Sequence, residues 1–471
     1  MQFKNKYKGL QQQITSNKQN IYMQALRSTL ALVSILLSLL LQKSLQACTT
    51  AQAPYPKIVG GIQGTSGFKQ IDYNQVNDYL VGAGNSNDQE VRGDALGFEY
   101  MRPIIITYQY NFYMWGKVLT SLVDHGFLGV KINRLGTRLV AANYDTERYL
   151  IVMDITNGNV IAATQLTTIG TFDNYRRRLL LLDNGNILMG DSTRIIKIAP
   201  PSISAPTYTC TLSGSSTIGL LTNTAQSYLH VFAFASSICM ITVMDMATFT
   251  RVYQYQTQCE SASAADQAQT FQSCIFETSA TVDTIVFQEG TRFFKISNQY
   301  SPPVFTTSTV HDPQFLSARG LYCQSNELVH SLMTGMYSTD FYRIFVASVN
   351  FNTNKITYTR YLQYIGGGMT LFHGVIISAN QFYLSAYSTT ITKATSNTFR
   401  TRSISYANGL IFSPMLTCQS IEQLTYPVAT LIVNSFTFTA TTYDYTSSST
   451  SVTHLTSLPP TSNIVQTEFE G

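Results

Sequence analysis

Proton transfer, metal binding and thiol chemistry in this chain must draw on six histidines, 26 acidic residues and seven cysteines. The histidines, His125, His230, His311, His330, His373 and His454, stand far apart, and no two share a metal-ligand spacing. No H-E-x-x-H, G-x-S-x-G or phosphate-loop sequence occurs. Each histidine is therefore read as structural, catalytic residues stay unassigned and no cofactor is expected. The densest carboxylates run from Asp72 to Glu99. Within that run Asn85, Asn87, Asp88 and Glu90 offer the hard oxygens that Ca²⁺ prefers. The alternating carboxylates and the glycine of an EF-hand are missing, so a solvated loop between strands is the competing reading. Arg176-Arg177-Arg178 precedes the apolar Leu179–Leu182 and is read as a charged gatekeeper against edge pairing. Gly366-Gly367-Gly368 is read as a turn.

The cysteines are Cys48, Cys210, Cys239, Cys259, Cys274, Cys323 and Cys418. None forms a C-x-x-C pair, which argues against structural zinc. The six after Cys48 are disulfide candidates, and spacing alone does not choose the pairing. Cys259 with Cys274, closing a short polar loop, is the first expectation; buried free thiols are the alternative.

Redox compartment follows from the leader. Leu26 to Leu41 reads LRSTLALVSILLSLLL, shorter than the roughly 20 apolar residues that span a bilayer. Basic residues before it and small or polar ones after it make it the apolar region of a signal peptide over residues 1–47. Met23 is a second candidate start. An uncleaved membrane anchor over residues 26–41 is one alternative, a buried core helix another, and Leu45-Gln46-Ala47-Cys48 as a lipoprotein box a third. Secretion or surface display is the expected localisation, where disulfides persist. No Asn is followed two positions later by Ser or Thr, so export here implies no N-glycans.

All six basic residues before Ala47 (Lys4, Lys6, Lys8, Lys18, Arg27, Lys43) lie in that leader. What remains is 24 basic against 26 acidic residues, a near-neutral body with no nucleic-acid or polybasic membrane footprint. Charged residues make up 12% of the chain against about 25% in ordinary domains. Tyr, Phe, Val, Ile and Thr take their place, which is strand chemistry.

Short apolar runs recur between Gly, Asn, Asp and Ser clusters. GFLGVKIN, TRLVAANYD, RYLIVMDI and NVIAATQL, from Gly126 onward, make four strands, with Asn157-Gly158 a hairpin turn. RRLLLLDNG, NILMGDS, RIIKIAP and PTYTCTL repeat the pattern, and about eight such units can be followed. Four strands per repeat is the signature of a propeller. The expectation is all-β: one propeller of seven to eight four-stranded antiparallel blades over residues 56–440, after a helical signal segment. Two tandem β-sandwiches are the rival. A Ser/Thr-rich tail or linker follows over 441–471.

NQVNDYLVGAGNSND resembles the repeat of exported propellers, and ERYLIVMDITNGNVIAA resembles a quinoprotein-like or WD40-like blade, in which a strand ends in Asp before a turn and Gly. The tryptophan-docking signature of quinoproteins is absent, since Trp115 is the one Trp, and no WD dipeptide occurs. The resemblance implies a fold and little about activity. The functional expectation is an exported or cell-surface module binding a protein or glycan, with no nucleic acid and with membrane contact only through an uncleaved leader. The alternative is a secreted propeller hydrolase, lyase or quinoprotein-like oxidoreductase with its site at the central channel.

Overall fold

The computed structural model describes residues 57–59, most of 64–412, and 453–454. The chain divides into two compact units, Met1–Gln52 and Ala53–Gly471, and every described residue belongs to the second. The leader, Cys48, Cys259, Cys418, His125, His311, Arg176, Arg177, Gly366–Gly368 and nearly all of the Ser/Thr-rich tail lie outside the described residues.

Strands dominate. The described residues hold seven antiparallel sheets and one four-residue helix, Gln89–Arg92. No helix among them is long and apolar enough to cross a membrane. Sheet 1 consists of Ser66–Asn74, Tyr79–Ser86, Arg102–Gln109 and Phe112–Val118. Sheet 2 consists of Phe127–Ile132, Arg138–Asn143, Tyr149–Asp154 and Val160–Gln165, with Thr453–His454 on its outer edge. Sheet 3 takes Leu179–Leu181, Ile187–Gly190, Arg194–Ile198 and Pro206–Thr211; sheet 4 takes Ser216–Thr222, Tyr228–Ala235, Ile238–Asp245 and Arg251–Gln258. Sheet 5 takes Gln272–Ser279, Val282–Glu289, Arg292–Ser297 and Val304–Thr309; sheet 6 takes Ser317–Cys323, Leu328–Ser338, Phe341–Asn350 and Lys355–Leu362. In all six, strand order follows chain order.

Sheet 7 differs. Met369–Ser378, Gln381–Thr395 and Thr398–Phe412 are its first three strands, and Lys57–Val59 from the start of the unit supplies the fourth. Ile58 pairs with Leu410. This corrects the strand count read from the sequence. QFYLSAY and TITKAT are one strand, not two, because the chain passes Ser388–Thr390 through an irregularity in register rather than a turn. Leu410–Phe412, expected to open an eighth unit, instead ends sheet 7; the rest of that unit lies outside the described residues.

What holds the sheets together follows from side-chain alternation. In sheet 2, Leu139, Ala141, Ile151 and Met153 are buried against Val81, Ile105 and Trp115 of sheet 1. Their neighbours Val140, Ala142, Leu150 and Val152 are buried against Leu179, Ile187 and Ile196 of sheet 3. Successive side chains point to opposite faces, so a strand buried on both faces must read as an unbroken apolar run. The same arrangement recurs between sheets 3 and 4, 4 and 5, 5 and 6, and 7 and 1. Each fully buried large aliphatic contributes about 1.5–3 kcal/mol. First strands also pack in succession, sheet 1 on 2 and onward to 7, and the first strand of sheet 7 packs back on that of sheet 1.

Cys274 on the first strand of sheet 5 is bonded to Cys323 on the first strand of sheet 6, with Cα atoms 5.6 Å apart. The expected Cys259–Cys274 pair is thereby excluded. Cys274 sits in the seam between sheets 5 and 6, where Cys323 is its neighbour, rather than facing its own loop. Cys239 is disulfide-bonded as well. Removing the seam bond in a Cys274→Ser, Cys323→Ser double variant should lower unfolding free energy by about 2–4 kcal/mol, as expected for a loop of this size. A urea unfolding curve checks this, and an unchanged midpoint would sink it.

Candidate binding face

In sheets 1 to 6, where strand order follows chain order, the turn between strands 1 and 2 and the connection between strands 3 and 4 fall at one end; sheet 7 has no connection of the second kind, since Lys57–Val59 is its fourth strand. The turn residues build that end by one repeated device. In sheet 2, Asn133 Oδ1 accepts hydrogen bonds from Thr137 N and Arg138 N, each 2.9 Å, while its Nδ2 donates to Thr137 Oγ1 at 3.0 Å. In sheet 4, Asn223 does the same with Ser227 and Tyr228, at 2.9 and 3.0 Å, and with Ser227 Oγ at 2.9 Å. Each turn needs one residue at positive φ: Gly136 at 63° in the first and Gln226 at 53° in the second. Asparagine suits the clamp because its short amide offers both an acceptor and a donor to nearby backbone and hydroxyl groups.

The second turn is clamped by the last residue of strand 3. Asp154 Oδ1 accepts from Thr156 N at 2.8 Å, Asp245 Oδ1 from Thr248 N at 2.8 Å, and Asn350 Oδ1 from Thr353 N at 3.0 Å. Each is followed by a buried apolar residue whose N–H donates across to the first turn of the same sheet: Ile155 to Thr137 O, Met246 to Ser227 O, Phe351 to Glu327 O. The two turns of a sheet are thus bonded together.

Turns of neighbouring sheets are bonded too. Asn74 Nδ2 of sheet 1 donates to Asn133 O and Arg134 O at 3.0 and 2.8 Å, and Asn77 Nδ2 to Leu135 O at 2.7 Å. Arg134 pairs with Asp183 of sheet 3 at 2.7 Å, Asp183 N donates to Gln226 Oε1 of sheet 4 at 3.1 Å, and Thr224 N donates to the Glu277 carboxylate of sheet 5. Lys295 of sheet 5 pairs with Glu327 of sheet 6 at 2.7 Å. The result is a polar girdle through sheets 1 to 6. Outside it stand Val76, Tyr110 and Leu135, 73%, 60% and 49% exposed.

A cavity of about 330 Å³ opens in this end between sheets 3 and 4. Its charged lining groups are Lys197 and Asp245, with Asn184, Gln226 and Ser227 beside them. Backbone and hydroxyl hydrogen bonds from Thr248 hold the Asp245 pKa below the ordinary carboxylate value, so it stays ionised. The Lys197 ammonium lies 5.4 Å from the Phe249 ring centre. Two opposite charges on one small wall suit a polar or ionic side chain of a ligand.

The residues singled out in the sequence lie elsewhere. Asn87 Oδ1 accepts from Thr65 N at 2.5 Å and Thr65 Oγ1 at 2.9 Å, and Asp88 Oδ2 accepts from Gly64 N at 2.7 Å. Asn85 Nδ2 reaches Met101 Sδ at 3.1 Å, and the Glu90 side chain lies outside the described residues. No cluster of three or more His, Cys, Asp or Glu able to hold a metal occurs among the described residues. Arg178, read with Arg176 and Arg177 as a charged gatekeeper against edge pairing, is fully buried. The side chains of Cys210 and His454 are not among those described. His230, His330 and His373 sit in sheets 4, 6 and 7 and form no group of three able to hold a metal. His230 and His330 are third in their strands, the place Val140 takes in sheet 2, and His330 bonds to Ser348 Oγ at 2.8 Å. They are repeat positions, filled by polar rings.

None of Val76, Arg134, Leu135, Lys197, Gln226 or Asp245 was singled out from the sequence. A detectable signal did exist: N-R-L-G-T-R at Asn133 and N-T-A-Q-S-Y at Asn223 share Asn followed by a hydroxyl residue four positions on.

No family model matches the sequence, and no curated protein matches it. Among solved structures, the Myceliophteria thermophila Cps50 (Swd1) β-propeller domain aligns with 8% identity and a TM-score of 0.43, covering 76% of this chain and 99% of that one. The Mitotic Checkpoint Complex contains a chain aligning with 9% identity and a TM-score of 0.44, covering 70% and 88%. The cycle of four-stranded sheets itself makes this a β-propeller repeat protein.

Burial lowers the His230 pKa from 6.5 to about 4. The unfolded chain therefore binds a proton near pH 6.5 that the folded chain refuses until about 4. This contribution is fully present above that first value and is lost as the pH falls toward the second, by about 3 kcal/mol in all. His230→Val should flatten the dependence of the urea midpoint on pH across this window. Parallel profiles for the two proteins would show that another group is responsible.

Proposed function

We propose that the chain is an exported, seven-bladed propeller, closed by Lys57–Val59 on the last blade, that serves as a protein-binding scaffold. The observation that carries this reading is the girdled end of clamped turns with Val76, Tyr110 and Leu135 standing out from it. Rigid backbone keeps the ordering cost of binding low, and exposed apolar side chains on such a frame supply the contact energy. Valine and leucine favour a protein ligand over a glycan. The cavity at Lys197 and Asp245 would take one polar side chain of that ligand. Export is supported by the leader and by the Cys274–Cys323 bond, since such bonds persist in oxidising compartments.

Two measurements test the reading. N-terminal sequencing of the product released by its own cells should begin after the leader; a start at Met1 or Met23 counts against export. A photo-crosslinking residue at position 135 should capture a discrete protein in those cells, and one at position 252, on the outer strand of sheet 4, should not. Val76→Glu in the same chain should reduce capture at least about tenfold, as expected for a central contact. Equal capture from both positions, unmoved by Val76→Glu, would rule out this face.

A further inference from the structure

The acidic run that the turn end does not use has its own architecture. Asp88-Gln-Glu-Val-Arg-Gly-Asp-Ala-Leu-Gly-Phe-Glu-Tyr-Met connects strands 2 and 3 of sheet 1, at the end opposite the clamped turns. It contains Asp88, Glu90, Asp94 and Glu99 against one cation, Arg92. Arg92 is fully buried, and its guanidinium donates to the carbonyls of Leu96, Gly97 and Tyr100. Asn87 Nδ2 donates to Phe98 O at 2.7 Å and Gln89 Nε2 to Leu96 O at 2.8 Å. Turning these carbonyls inward leaves the apolar side chains outside: Leu96, Phe98, Tyr100 and Met101 are 36–40% exposed. Glu99 is exposed among them, its carboxylate lying over Gly97, where a Cβ would come within 2.1 Å of it.

We propose that this loop is a second docking surface, for a cationic amphipathic segment of a protein partner. Four large apolar side chains gathered on one loop are more than scattered surface exposure. The charge choice follows from the same geometry: the Arg92 guanidinium lies buried against backbone carbonyls, and the carboxylate of Glu99 is displayed outside. An apolar stripe flanked by lysines complements both features; an acidic stripe would meet like charge. The surface stands independently of the clamped-turn end, on the other side of the sheets.

The test uses the full chain and three fluorescent 12-residue peptides: Leu/Lys amphipathic, Leu/Glu amphipathic, and Ser/Lys polar. Anisotropy should show binding of the Leu/Lys peptide, weaker with added salt, and at least about tenfold preference over the other two. Phe98→Ser and Glu99→Lys should each weaken it by about tenfold or more, and Leu135→Ser should leave it unchanged. Glu99→Lys alters an exposed side chain, so it reports even if Phe98→Ser disturbs folding. Equal binding of the Leu/Glu peptide, equal binding of the Ser/Lys peptide, or indifference to Glu99→Lys would each overturn the proposal. Loss of crosslinking from position 135 would bear only on the other end.

Discussion

The whole arrangement rests on strands that are apolar on both faces. A sheet such as Arg138–Asn143 with Tyr149–Asp154 shows one set of side chains to sheet 1 and the alternate set to sheet 3, with Leu139, Val140, Ile151 and Val152 all fully buried. No such sheet can leave either face in water, so each needs two neighbours. A linear stack would always leave two ends uncovered. The return of sheet 7 onto sheet 1, through Ile377 and Tyr383 against Phe68, Leu80 and Tyr108, removes them. Strand Lys57–Val59 belongs to the same logic, since it ties the beginning of the unit to its last sheet.

Packing of this kind fixes sheets side by side but says little about their ends, and there the chain spends its polar residues. Asn133, Asn223, Asp154, Asp245 and Asn350 each turn a side chain back onto the main chain of a turn, which satisfies donors that would otherwise compete for water. Among the described residues, two of the four non-glycine residues at positive φ, Gln226 and Phe249, occur in these same turns of sheet 4. Gly136 and Gly158 occupy the matching places in sheet 2. Sheet 4 therefore accepts backbone strain where sheet 2 uses glycine.

Much of this was legible beforehand, because burial on both faces writes itself as uninterrupted apolar runs. The strands of sheets 1 to 6 fall where LVAAN, YLIVM, IIKI and their counterparts stand. Sheet 7 was misread for two physical reasons. Ser388-Thr389-Thr390 has turn-like composition yet stays extended, and the fourth strand comes from residues 57–59, some 350 positions away in the sequence. Cys274 was misassigned because loop length in sequence is a poor guide to which seam a side chain enters. The proposed binding end was harder still. Leu135 and Val76 are ordinary apolar letters within turn segments, and their exposure depends on Asn77 and Arg134 holding neighbouring turns together. Arg92 was passed over among the carboxylates of its run, and it is the buried anchor of its loop.

Trp115 lies at the seam of sheets 1 and 2, with its Nε1 donating to Ile155 O at 2.7 Å and its ring against Gly158. As the single indole in the molecule, it is a native optical gauge of that junction. Emission from the folded protein reports one place, the interface at which a blade's outer strand meets its neighbour's clamped turn. Parting of these two sheets, whether by denaturant, by a destabilising substitution or by a ligand wedged between them, would move the indole from a dry, hydrogen-bonded slot into water without any label having been added.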